Sequence, residues 1–142
     1  MHCFLLRFTV LLSIASIVGC GGGGLPMVPV SGKVTFDGAA PPNSGNLSFI
    51  SMQSDPGLPQ RDGSCRFETD GLFVVTSFEK GDGLLPGKYR VEASCYKYQP
   101  DYSKKDPFAD ATAVDPSYEP IEISVEKGTP IRDLVIDIPL KK

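Results

Sequence analysis

Tryptophan is absent from this 142-residue chain, and its only histidine is His2. Residues 1–19 read as a removable targeting segment, so the chain from Cys20 onward contains no imidazole. That excludes Ser-His-Asp triads, Cys-His dyads and histidine zinc sites from the mature protein. Excess positive charge is lacking too: 14 Lys+Arg stand against 17 Asp+Glu, for a net charge of −3, and losing Arg7 makes the remainder more acidic. A phosphate-backbone binder needs the opposite balance, so no nucleic-acid partner is expected. No window carries an apolar face at helical spacing, and no repeat recurs at the spacing of a solenoid or propeller. The length allows one domain.

The longest uncharged stretch near the start is Phe8–Gly19. As a helix it would rise about 18 Å, short of a hydrocarbon core of about 30 Å. A basic start ending in Arg7, an apolar centre and a small residue before the cut make a secretory signal. Ile17-Val18-Gly19-Cys20 resembles a bacterial lipobox, which implies diacylglycerol on Cys20 and an acylated new amino terminus. Two or three chains hold a protein at a bilayer where one does so only marginally. The alternatives are an ordinary signal peptide cut elsewhere and an uncleaved start. Gly21-Gly22-Gly23-Gly24 favours the lipobox, because residues 20–27 then form a flexible leash between anchor and domain. The expected location is the cell envelope, tethered through Cys20. Gly21 rather than Asp after that cysteine tilts the expectation to the outer membrane.

From Val28 the chain alternates short apolar runs with Gly, Pro, Asn and Asp, the pattern of an all-β sandwich or barrel over residues 28–142. Val30, Val34 and Phe36 give a first strand ending at Asp37-Gly38. Asn46–Met52 gives a second, with Leu47 and Phe49 on one face. Cys65–Thr69, the turn Asp70-Gly71 and Leu72–Phe78 read as a hairpin. Lys88–Tyr96 alternates most cleanly, with Tyr89, Val91, Ala93 and Cys95 inward. Residues 97–120 read as a long surface loop. Ile121–Val125 and Arg132–Ile138 complete seven strands, and Lys141-Lys142 reads as a soluble tail.

Cys65 and Cys95 both fall on inward positions. Either they form one disulfide, worth about 3.5–4 kcal/mol in the chain-entropy model, or they are two buried free thiols acting as small hydrophobes.

Asp70-Gly71-Leu72-Phe73 followed by Gly81-Asp82-Gly83-Leu84-Leu85-Pro86-Gly87-Lys88-Tyr89-Arg90-Val91 resembles a signature of small bacterial lipoproteins with a carboxypeptidase-regulatory-like, transthyretin-like domain. Val30-Ser31-Gly32-Lys33-Val34-Thr35-Phe36-Asp37-Gly38 is similar to the first strand and turn of that family. The resemblance implies a seven-stranded Greek-key β-sandwich of prealbumin type, with an Ig-like build. It transfers no activity, since the peptidases that name such domains carry their catalytic residues elsewhere.

Tyr96, Tyr98 and Tyr102 gather in the run 96–108 at one end of the expected sandwich, where such scaffolds carry binding function. They could stack on a sugar or anchor an interface; otherwise one or two pack back on the sandwich. Asp101, Asp106, Asp110 and Asp115 lack the spacing of a compact calcium loop, and no metal or cofactor is expected. Asp62, Glu68, Asp70, Glu79 and Asp82 read as solvated turn residues, and no catalytic residue is assigned. The leading expectation is a non-catalytic lipid-anchored envelope protein serving as a structural or protein-interaction module. The alternative is a glycan-binding module using the Tyr-rich loop 96–108. Its partners would then be the membrane through Cys20, and envelope proteins or polysaccharide.

Overall fold

The computed structural model describes residues 24–142. The targeting segment 1–19 and Cys20 lie outside the described residues. The strands in chain order are β1 (Val30–Phe36), β2 (Gly45–Ser54), β3 (Gly63–Phe67), β4 (Leu72–Val74), β5 (Gly87–Cys95), β6 (Ile121–Val125) and β7 (Ile131–Ile138); a one-turn helix, α1 (Pro107–Ala111), separates β5 from β6. They form two sheets, ordered β4-β1-β7 and β3-β2-β5-β6. The second sheet is antiparallel throughout, whereas β1 runs parallel to β7. The all-β architecture read from the alternation is therefore present, as two sheets around one core. Among the described residues no helix is long and apolar enough to cross a membrane.

Alternation fixes the core. Leu47, Phe49, Cys65, Phe67, Tyr89, Val91 and Cys95 project inward from the four-stranded sheet, and Val30, Val34, Phe36, Phe73, Ile136 and Ile138 from the three-stranded one. Two aromatic pairs bridge the sheets: Phe36 with Phe67, ring centroids 6.5 Å apart, and Phe49 with Phe73 at 6.3 Å. Both are tilted, a geometry that favours ring edges over faces.

The expected hairpin around Asp70-Gly71 is reduced to one antiparallel bridge, Ser64 with Thr76, through two hydrogen bonds of 2.9 Å. β3 and β4 belong to different sheets, and the turn carries the chain from one to the other. Gly71 makes this corner: its φ is +77°, its N–H donates to the Glu68 carbonyl at 2.9 Å, and its own carbonyl accepts from Val34 N–H at 2.8 Å. A Cβ there would run into the Val34 carbonyl.

No disulfide links Cys65 and Cys95; both are free and buried. β2 lies between their strands, Leu47 standing opposite Cys65 and Gly45 opposite Cys95. Two strand spacings put the Cα atoms at least about 9.5 Å apart, beyond the roughly 6.8 Å limit of a disulfide. Burial pushes the Cys65 thiol up to about 12, against a weaker opposing hydrogen bond from the Leu47 backbone. Burial likewise raises Cys95, partly offset by a backbone hydrogen bond at Asn43. Both behave as small hydrophobes.

The segment 97–120 is only half a surface loop. Its second part is docked: Ala111 and Ala113 are fully buried, Ala113 N–H donates to Cys95 O at 2.8 Å, and the Tyr118 hydroxyl donates to Val91 O at 3.0 Å. The carboxy-terminal tail is docked with it, Lys141 N–H donating to Ala113 O at 2.9 Å and its Nζ to Ala109 O at 2.5 Å. The lysine expected in a solvated tail is thus a tie.

Candidate functional site

At the end of the four-stranded sheet where β5 finishes, the register aligns three outward residues in a row. Asn46 on β2 stands opposite Arg66 on β3 and opposite Ser94 on β5. One residue beyond β5 the chain leaves as Tyr96, and the first half of the 97–120 segment folds over this row. A groove of about 400 Å³ lies between, with Arg66, Asn46 and Ser94 on one side and Tyr96, Tyr102 and Phe108 on the other.

The aromatic wall is built from local chemistry. Asp106 caps α1 by accepting Ala109 N–H at 3.0 Å, and Pro107 supplies a preset φ at the first helical turn. Phe108 is thereby presented as a hub, 5.9 Å from Tyr96 and 6.0 Å edge-on to Tyr102. The Tyr98 hydroxyl donates to Asp110 O at 2.8 Å, and Lys104 pairs with the Asp110 carboxylate at 3.1 Å. Asp101 accepts from the Ser103 hydroxyl and N–H, which lowers its carboxyl below the usual carboxylate range. Lys104 is raised by its bond to Asp110. Tyr102 nevertheless remains 75% exposed and Phe108 46%. Large rings held open to solvent by a pinned backbone offer contact area at little further ordering cost.

Arg66 is the one formally charged side chain lining this groove. Its Nε donates to Glu68 at 2.8 Å and its Nη2 to the Ser44 hydroxyl at 2.8 Å, leaving the remaining amino group of the fork unpaired among the described residues. Asn43 turns its Oδ1 to Ser44 N–H at 2.9 Å, which leaves its amide hydrogens available. Exposed rings beside amide, hydroxyl and guanidinium groups suit a ligand with an apolar ring face and a polar rim.

All three sequence-derived tyrosines line this groove: Tyr96 half-buried, Tyr98 and Tyr102 exposed. Phe108, Asn46, Arg66 and Ser94 are functional neighbours that the sequence reading does not single out. The only signal for the last three is their outward position near strand ends. The four loop aspartates do not converge: Asp101, Asp106 and Asp115 hold local N–H groups and Asp110 pairs with Lys104. Among the described residues no group of three His, Cys, Asp or Glu could hold a metal.

A wider cleft, about 710 Å³, lies beside residues 60–62, just before β3 begins its pairing with β2. Most of its polar groups are engaged, the exception being the Ser51 hydroxyl, which is buried without a hydrogen-bond partner among the described residues. Asp62 accepts Ser51 N–H at 2.7 Å and Gln60 donates to Ser51 O at 2.8 Å, so side chains continue the ladder where β3's backbone has diverged. Arg61 donates to Ser77 O at 2.8 Å and covers the Phe78 ring at 4.8 Å. This cleft closes a sheet edge, and the aromatic groove is the better binding candidate.

No family model matches the chain, nor does any curated protein or solved structure, so its function is argued from this groove and its surroundings.

Proposed function

We propose that this chain is a non-catalytic, lipid-anchored envelope protein whose β-sandwich is a glycan-binding module, with Tyr96, Tyr102 and Phe108 as the stacking wall. The observation that carries the reading is the convergence of three aromatic rings with the Arg66-Asn46-Ser94 row across one groove. Pyranose rings present C–H faces to aromatics and hydroxyls to amides, which is the division of this groove. It therefore favours the glycan reading over a purely structural module. The lipobox at Cys20 and the glycine leash support tethering, and Gly21 supports the outer membrane. The β4-β1-β7 and β3-β2-β5-β6 orders support the transthyretin-like Greek-key sandwich that the motifs resemble.

A thermal-shift screen of the full chain against envelope and environmental polysaccharides tests the module. A ligand at 100 times its Kd adds about 2.7 kcal/mol of stability, and Tyr102→Ala should remove the shift. A shift unchanged in both Tyr102→Ala and Phe108→Ala rejects the groove. Cys20→Ser should release the protein from membranes; retention through a high-salt wash rejects the anchor.

A further inference from the structure

Arg66 faces two depressions at once. Beyond the aromatic groove it also lines a hollow of about 440 Å³ on the three-stranded sheet, formed with Ser31, Gly32, Leu72, Val74 and Arg132. Gly32, Leu72 and Arg132 in turn line a third hollow, about 270 Å³, that adds Lys33, Asp133 and Val135. Arg66 is shared by the first two hollows and Gly32, Leu72 and Arg132 by the last two, and each contains at least one cation. Arg132 and Lys33 make no ion pair among the described residues.

The position of Arg132 is a product of the fold. β1 advances two residues from Val30 to Gly32 while β7 advances three, from Ile131 to Leu134. This bulge leaves both Arg132 and Asp133 exposed instead of alternating one inward. Gly32 permits it, because a Cβ there would collide with the Leu134 carbonyl. Leu72, Val74 and Val135, 61%, 57% and 63% exposed, supply apolar surface along the path. On a chain of net charge −3, a path lined by Arg66, Arg132 and Lys33, with Asp133 in its lining and Glu68 paired to Arg66 as its carboxylates, runs against the overall balance.

We infer that the three hollows form one track for an acidic polysaccharide, with sugar rings on the aromatic wall and carboxylate or sulfate groups on Arg66, Arg132 and Lys33. This rests on the glycan reading of the groove and adds the charge and extended form of the ligand. Guanidinium groups pair with both anions through parallel N–H bonds. A polymer fits because Tyr102 and Lys33 line different hollows, with that of Arg66 and Arg132 shared between them.

The test titrates the full chain, in mild detergent, with polygalacturonate, dextran sulfate, neutral dextran and a single-stranded oligonucleotide. One or both acidic polysaccharides should bind at least about tenfold tighter than dextran at low salt, and weaken between about 20 and 200 mM salt. Which of the two binds better separates carboxylate from sulfate. Arg132→Gln should weaken acidic binding about three- to tenfold without changing the melting temperature, and Lys33→Gln provides the same reading if Arg132→Gln is unstable. Dextran binding as tightly as the acidic polymers, with loss in Tyr102→Ala, overturns the track but keeps the groove. Acidic binding lost in Arg132→Gln yet intact in Tyr102→Ala keeps the cationic path and overturns the stacking wall. No polysaccharide binding overturns both, and an oligonucleotide bound more tightly than either acidic polysaccharide overturns the ligand class.

Discussion

Asp82 holds the turn before β5 through three backbone donors: Ser77 N–H at 2.8 Å on one oxygen, and Phe78 and Glu79 N–H at 3.0 and 2.9 Å on the other. Burial opposes its charge, but these bonds outweigh that and lower its pKa below 3.8. A carboxyl whose folded pKa is depressed adds stability above its unfolded pKa, and that stability is lost as pH falls through the folded value. Asp82→Asn keeps one acceptor oxygen and should cost about 1–2 kcal/mol near neutrality. The wild-type advantage, measured by urea unfolding, should stay level from about pH 7 to 5 and shrink below about pH 4. A gap unchanged at low pH would mean that charge is not what holds the turn. Composition marks Asp82 as one more turn carboxylate, and only the geometry of residues 77–79 distinguishes it. The cysteines show the same limit: alternation places both thiols inside, but the strand between them is set by residues far away in sequence.

At the scale of elements, the strands are legible wherever one face is apolar and the other polar, as in β5, whose inward Tyr89, Val91 and Cys95 are all buried. The sheet to which a strand belongs is not legible. Asp70-Gly71 announces a reversal, and nothing local says that Leu72–Val74 pairs with β1 rather than with β3. The determining contact is the Gly71 carbonyl on Val34 N–H, a link between residues remote in sequence. Gly71→Ala places a side chain at φ +77° and against the Val34 carbonyl. It should destabilise the fold by about 2–4 kcal/mol in denaturant unfolding, with little change in m. A loss below about 0.5 kcal/mol would show that the corner adapts without strain. The groove divides in the same way. Tyr96, Tyr98 and Tyr102 are readable because one loop carries them, whereas Asn46, Arg66 and Ser94 meet only through the register of three strands.

Across the whole molecule, the groove depends on parts remote from it. The loop bearing its rings is anchored from behind by the chain's last residues: Lys141 N–H on Ala113 O, Lys141 Nζ on Ala109 O, and the bridge between Val114 and Leu140. Two of these ties reach α1 or the residues just after it, and α1 carries Phe108. Removing Leu140–Lys142 takes away both Lys141 hydrogen bonds, each worth about 1 kcal/mol, while leaving the inter-sheet aromatic pairs untouched. Hydrogen exchange over Ala111–Val114 should therefore quicken by about one to two orders of magnitude, while amides in β2 and β5 keep their protection. Polysaccharide affinity should fall with it, since an unpinned loop must be ordered again on binding. Equal loss of protection in β2 and β5 would make the tail part of the global folding unit. Unchanged exchange at Ala111–Val114 would leave the aromatic wall supported from its own loop alone, by Asp106 and the Tyr98 hydroxyl.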